Sequence, residues 1–354
     1  MEPRRGQRRR RYRILAAACA AALWLFLASC GRESPPAPSG PEETRLDFFC
    51  MDTYMSLRAW GTDPDTLREA KKEAEGLEAL LSVTDEDSEI ARLNEAGSAA
   101  LSPETAAVLA RALELCHETE GALDISVYPI VRAWGFTTGQ YRVPEKGELD
   151  ALLETVDFRK IGLEGLDASL PEGMALDLGG IAKGWAGDRM AEALRASGVQ
   201  SALLDLGGNI QTVGRKPDGS LWRIAVKDPD GSGTLGVLSV SDSAVITSGG
   251  YERFFTGEDG TVYWHIMDPE TGACARSGLL SVTVTGPEGA RCDAYSTALF
   301  VMGEARAADF WRARRDFGMV LVTEEGRVLY TPDLADSFAP EKGTKYAFEV
   351  IPDA

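Results

Sequence analysis

From Met174 to Met302 short β-prone runs follow one another, most of them stopped by glycine, with only single helical stretches between them. That rhythm constrains the fold more than any other feature of the chain. Met174–Leu178 reads as a buried strand, and Gly179-Gly180 turns it into a helix that ends near Gly198. Strands are then expected at 201–206, 210–213, 222–226, 236–240, 245–247, 262–267 and 279–285, with a helix over 292–302 and a late strand at 319–322. Consecutive strands broken by single helices predict an α+β domain with mixed or antiparallel sheets flanked by helices.

Upstream, Thr44–Trp60 alternates apolar and polar residues, as a strand or hairpin arm does. A helix is expected from Pro64 to Leu81 with Asp63 as its cap, and another opens at Ser102-Pro103-Glu104 and runs to about Thr119. A short helix is expected around Glu145–Thr155. Gly121–Phe136, apolar and aromatic but interrupted by Gly and Pro, cannot be one regular element. No repeat or internal linker divides the region, so 45–354 reads as one large domain.

The first thirty residues have another purpose. An Arg-rich stretch, Arg8–Arg13, precedes the apolar run Ile14–Leu27 and then Leu27-Ala28-Ser29-Cys30. These are the parts of an export signal, and the run is shorter than the ~20 residues a bilayer span needs. The last tetrad resembles a bacterial lipobox. The resemblance implies a signal peptide over 1–29 and lipidation of Cys30, with Pro-, Ser- and Gly-rich 30–44 as a tether. The mature protein is then expected outside the bacterial cytoplasmic membrane and anchored to its outer face.

The formal charge is −18, and removing 1–29, with seven Arg and one Glu, leaves −24. Such a surface excludes nucleic acid, whose phosphates need a basic face. A small anionic ligand would need a metal ion or a local cationic pocket. After Cys30 four cysteines remain, Cys50, Cys116, Cys274 and Cys292, too scattered for a zinc site. Disulfides and free buried thiols are both open.

Several short segments carry donors suited to a phosphorylated ligand. In the Asp177–Gly184 segment a carboxylate meets a glycine turn that opens a helix, whose free N–H groups and Lys183 favour an anion. The spacing fits neither a Rossmann fingerprint nor a P-loop. Asp205-Leu206-Gly207-Gly208-Asn209 reads as a turn or bulge. Thr247-Ser248-Gly249 sets hydroxyls and a glycine at a strand end. His265, one of only two histidines, is expected on a strand, sharing a face with Tyr263 and Met267. Asp293 and Thr297, four apart on a helix, could offer a carboxylate and a hydroxyl to a hard cation.

In this order the segments resemble the FAD:protein FMN transferases, the ApbE family. The matching pieces are Met51-Asp52-Thr53, Asp87–Ile90 with Leu93-Asn94, Gly121–Asp124 with Trp134–Phe136, Asp177–Lys183, Thr247-Ser248-Gly249 with Tyr251, His265–Pro269, and Asp293 with Thr297. The resemblance implies Mg²⁺ held by Asp293, Thr297 and the Gly180 carbonyl. It also implies FAD lying against Met51, Ala122, Leu123, Asp124, Asp177, Lys183, Thr247, Ser248, Gly249 and Ile266. Asp177 or His265 would accept the proton of an attacking hydroxyl. The implied reaction moves FMN from FAD to a Ser or Thr of an exported acceptor flavoprotein, releasing AMP. The same residues would serve a pyrophosphatase, with water as acceptor, or a non-catalytic flavin-binding lipoprotein.

Four positions depart from the family pattern. Asp52 stands for a usual Gly, Thr84 for a frequent flavin-facing Tyr, Cys292 for a common Ala, and Ser296 for a frequent second Asp. Thr271-Gly272-Ala273-Cys274 resembles the acceptor motif these enzymes modify, but ends in Cys, which argues against self-modification.

Overall fold

The computed structural model describes residues 40–231 and 233–353. The expected signal peptide, Cys30 and most of the tether lie outside the described residues.

In chain order the elements begin with the hairpin β1 (Glu43–Cys50) and β2 (Thr53–Trp60), then α1 (Pro64–Leu81), α2 (Glu89–Ala96), β3 (Ser98–Ala100) and α3 (Pro103–Glu118). Next come α4 (Tyr128–Ala133), α5 (Lys146–Leu153), β4 (Gly162–Glu164), β5 (Asp167–Ser169) and α6 (Gly179–Ala196). The strands β6 (Ser201–Leu206), β7 (Asn209–Gly214), β8 (Trp222–Lys227), β9 (Thr234–Val240), β10 (Ala244–Gly249), β11 (Phe254–Thr256), β12 (Val262–Trp264) and β13 (Leu279–Gly286) follow. The long α7 (Gly289–Arg314) leads to β14 (Gly318–Thr323), β15 (Arg327–Tyr330), β16 (Phe338–Pro340) and β17 (Ala347–Val350).

Nine strands form the main sheet in the order β1-β2-β6-β7-β10-β13-β14-β15-β17. All its pairs are antiparallel except β15 with β17, so the sheet is mixed, as expected. Helices α6 and α7 pack side by side, α6 against β6 and β7 and α7 against β10 and β13. Their meeting point is a pair of glycines, Gly184 and Gly289. This packing brings the start of α6 beside the start of α7, which is what the site requires.

Local chemistry explains most boundaries. Asp63 accepts from the Thr66 amide at 2.9 Å and Ser102 from the Thr105 amide at 3.3 Å, capping α1 and α3 at the residues expected. The β6–β7 hairpin turns on Gly207-Gly208, at φ 69° and 102°. That left-handed pair suits a tight two-residue turn.

Four expectations need correction. Met174–Leu178 is not a strand: only Ala175 bridges, to Val127. Its backbone is satisfied instead by the Asn94 side-chain amide, which takes the Leu176 N–H at 2.6 Å and donates to the Leu176 carbonyl at 2.9 Å. The expected strand at 262–267 stops at Trp264, so His265 sits in a turn held by its N–H to the Arg253 carbonyl. The last helix begins at Gly289 and runs to Arg314, broken at Gly303 (φ 76°, ψ 174°). Helix α2 was not expected; Ser88 caps it and Gly97 ends it within eight residues, too few for a helical period to stand out. The four described cysteines are free and buried.

Candidate active site

The α6–α7 junction, the β1–β2 turn and the 122–127 loop enclose a cleft of about 370 Å³, a size suited to a small-molecule ligand. Met51, Ala122, Leu123, Asp124, Asp177, Gly180, Lys183, Thr247, Ser248, His265, Ile266, Asp293 and Thr297 all line it. Residues as far apart in sequence as Met51 and Thr297 thus meet in one place. Gly249 is not among the lining residues; its Cα packs under the Tyr251 ring, where a methyl group would approach within 2.5 Å.

Asp293 is the anchor of the polar end. It is 4% exposed, on the first turns of α7. One carboxylate oxygen accepts the Gly184 amide at 2.8 Å and the other the Asn209 side-chain amide at 3.1 Å. Burial pushes its pKa up, while Lys183 and these donors pull the other way. Ser248 links the strand end to α7 through Ser296 at 2.8 Å and Thr297 at 3.2 Å. Among the described residues no three His, Cys, Asp or Glu side chains gather as a metal cluster. The position of the frequent second carboxylate is filled by Ser296, which donates to the Asp293 carbonyl at 2.9 Å. The donor set still fits a hard cation. Each Asp293 oxygen accepts from one donor, so lone pairs remain for a cation, and Thr297 and Gly180 line the same cleft.

Two cations share the cleft. Lys183 lies in the first turns of α6 and Arg253 precedes β11; both line the cleft. Asp177 accepts from the Gly179 amide at 2.7 Å. Crowding by the cleft walls raises its pKa, and Arg253 and Lys183 oppose the rise. His265 is enclosed on most sides yet keeps an edge open to the cleft. Desolvation, with Arg253 and Lys183 nearby, lowers its pKa to about 4, so the ring is neutral at pH 7. Its Nδ1 lies 3.3 Å from the Arg253 carbonyl. A carbonyl only accepts, so the proton sits on Nδ1 and Nε2 keeps its lone pair.

Residues 51–321 match the family model described as ApbE family. The chain belongs to the ApbE family. It is 34% identical over 336 residues to the FAD:protein FMN transferase of Vibrio cholerae serotype O1, covering 91% of this chain and 97% of that one. The FAD:protein FMN transferase of Treponema pallidum (strain Nichols) is 32% identical over 329 residues, covering 87% and 91%. Among solved structures, the ApbE protein of Thermotoga maritima aligns with TM-score 0.76 at 30% identity, covering 81% of this chain and 96% of that one. The Pseudomonas stutzeri flavinyl transferase ApbE aligns with TM-score 0.75 at 26% identity, covering 86% and 96%.

Within this ApbE chain the remaining expected residues divide by use. The Asp124 carboxylate is occupied: it accepts from the Ser126 amide and hydroxyl at 2.8 and 2.6 Å and from the Phe158 amide at 3.1 Å. It shapes the Ala122–Asp124 loop and leaves backbone and apolar side chains to the cleft. Met51 is held by its N–H to Glu78 at 2.8 Å. Met51 and Asp52 both have positive φ, 52° and 58°, which shows why glycine suits the second position of this turn. Cys274 is buried, with its thiol on the Trp264 carbonyl, so the last position of the acceptor-like segment offers no exposed nucleophile.

Three cleft residues escaped the sequence reasoning. Asn209 holds Asp293, and its signal was the Gly207-Gly208 turn that was read as purely local. Arg253 and Glu252 follow Tyr251 directly, but charged residues beside a strand end usually face solvent. Glu252 keeps some exposure, yet its surroundings push its pKa to about 7, chiefly by desolvation.

Proposed function

We propose that this protein transfers FMN from FAD to a Ser or Thr hydroxyl of an exported acceptor protein, forming a phosphoester and releasing AMP. The observation that carries the reading is the convergence of Gly180, Lys183, Asp293 and Thr297 on one cleft that also holds His265. The apolar lining residues Ala122, Leu123, Val127 and Ile266 suit an isoalloxazine ring; Lys183 and Arg253 suit a diphosphate.

Asp293, Thr297 and the Gly180 carbonyl would hold Mg²⁺. Bound there, the ion supplies charge neutralisation on the diphosphate. Lys183 adds a point charge from the same helix end, whose free N–H groups also favour phosphate. The acceptor oxygen forms a bond to the FMN-side phosphorus as the bridging P–O bond breaks and AMP leaves with its electron pair. The hydroxyl proton passes to Nε2 of His265, which is neutral and lines the cleft; Asp177, which accepts from Gly179 through one oxygen, is the alternative base. Phosphoryl transfer of this kind depends on positioning and charge more than on a strong nucleophile.

The N-terminal pattern supports export and anchoring through Cys30, which would place the enzyme beside acceptors on the outer membrane face. Cys30→Ser should abolish incorporation of labelled fatty acid and release the protein from membranes.

The test is incubation with FAD, Mg²⁺ and a candidate exported acceptor, followed by mass spectrometry. An acceptor gaining one FMN, with equimolar AMP, is expected. Free FMN and AMP with unmodified acceptor would establish a pyrophosphatase instead.

A further inference from the structure

The outward face of the β1–β2 hairpin is polar along most of its length. Arg45 pairs with Arg58 and Asp47 with Ser56 on that face. The last pair before the turn breaks the pattern: Phe49 stands opposite Tyr54, their rings 5.2 Å apart and edge-on. Phe49 is 59% and Tyr54 80% exposed. Nothing in folding asks for two aromatic rings there, since the hairpin buries its other face. The turn they flank, Met51-Asp52, is part of the cleft wall.

Two further exposed aromatic rings, Tyr141 and Phe254, lie separately, each beside a residue of the cleft. Tyr141 stacks on Phe255 at 5.1 Å and meets Phe136, a cleft residue, at 5.5 Å. Phe254, in the ribbon of β11 and β12, is half exposed. The hairpin turn and Phe136 are bridged by Arg253, whose guanidinium lies 4.0 Å from the Asp52 carboxylate and donates to the Phe136 carbonyl at 3.3 Å. Among the described residues, four of the eight exposed large apolar side chains therefore adjoin residues that line the cleft of His265: Phe49 and Tyr54 flank Met51-Asp52, Tyr141 meets Phe136, and Phe254 follows Arg253.

We propose that this aromatic rim is the docking surface for the acceptor polypeptide, and that it grips apolar side chains on either side of the reacting hydroxyl. The inference rests on the transferase reading. A hydroxyl carried by a macromolecule must enter the cleft with its flanking chain still outside, and the rim is the surface continuous with the entrance. Exposed aromatics of this kind supply contact area at low entropic cost. Among the described residues the ribbon of β11 and β12 pairs with no third strand, so its edge could also take backbone hydrogen bonds from an extended segment.

The test compares the wild-type protein with Phe49→Ser/Tyr54→Ser and with Phe254→Ser, all loaded with Mg²⁺. Three quantities are read: the dissociation constant for FAD by flavin fluorescence, KM for a folded protein acceptor, and kcat. KM for the acceptor should rise at least tenfold, with FAD affinity within twofold of wild type. Because these side chains point to solvent, FAD binding also reports that the variants are folded. An unchanged acceptor KM would overturn the rim as a docking surface. A parallel loss of FAD affinity would overturn it too, assigning the rings to the flavin. If the wild type itself forms no adduct, the transferase reading fails first and the rim with it.

Discussion

Gly184 and Gly289 touch backbone to backbone. A methyl group on Gly184 would lie 2.2 Å from the Gly289 carbonyl oxygen, and one on Gly289 would lie 2.5 Å from that of Gly184. Neither neighbour is a flexible side chain, so neither can yield cheaply. The contact sets the Gly184 amide 2.8 Å from Asp293 and so fixes the spacing between the α6 turn and the α7 carboxylate.

Gly184→Ala should therefore damage stability and activity together. Overpacking of this kind costs about 1–3 kcal/mol, readable as a lower urea midpoint. Separation of Gly180 from Asp293 should also reduce FMN transfer by more than the folded fraction explains. A variant with wild-type unfolding and turnover would show that the close contact does not position the site.

Asp293→Asn should separate the two effects. Burial already disfavours the charged carboxylate, so a neutral side chain of the same shape relieves that cost. Thermal stability without metal should hold or rise, while Mg²⁺ binding by calorimetry should be lost and transfer should fall ~100-fold or more, on the scale of removing a key electrostatic group. Asn209→Ala tests the support of that carboxylate: Mg²⁺ affinity should fall ~10–100-fold, with α6–α7 packing intact by near-ultraviolet circular dichroism.

The His265 ring has its folded pKa near 4, below the unfolded value of about 6.5. Between those values the unfolded chain binds the extra proton, so stability rises with pH across the window and the contribution is complete above it. His265→Gln should flatten that part of the stability profile between pH 4 and 6.5. It should also lower kcat by ~10²–10⁴-fold, the range for a lost general base, with little change in FAD affinity. Loss of FAD binding alone would assign the ring to the ligand rather than to proton transfer.

The legible part of the chain is where local chemistry decides. Asp63 and Ser102 announce helix starts because a cap needs only its own next turn, and the alternation of 43–60 carries the hairpin. The segment 174–178 misled because its hydrogen-bond partner is the side chain of Asn94, far away in sequence and invisible to periodicity. Asn209 and Arg253 were missed for a related reason. Each sits next to a turn whose local explanation suffices, and only the tertiary fold aims it at Asp293 or into the cleft. The motif order located the cleft; it did not reveal that Asp124 is consumed by Ser126 and Phe158 or that Gly249 packs against Tyr251 without lining the cavity.

Asp52 links the departure from the family pattern to a measurable cost. With φ at 58° it occupies left-handed space, where a side chain is strained and glycine is not. Its exposed partner Arg253, at 4.0 Å, returns little stability, because water screens such pairs. Asp52→Gly should therefore raise the unfolding free energy by about 0.5–1 kcal/mol, measured by urea denaturation. The freed Arg253 should then be more available to an anion in the cleft, so the dissociation constant for FAD should fall, and the gain should vanish in Asp52→Gly/Arg253→Gln. A destabilised Asp52→Gly would mean that the carboxylate holds the turn through contacts stronger than the strain it bears.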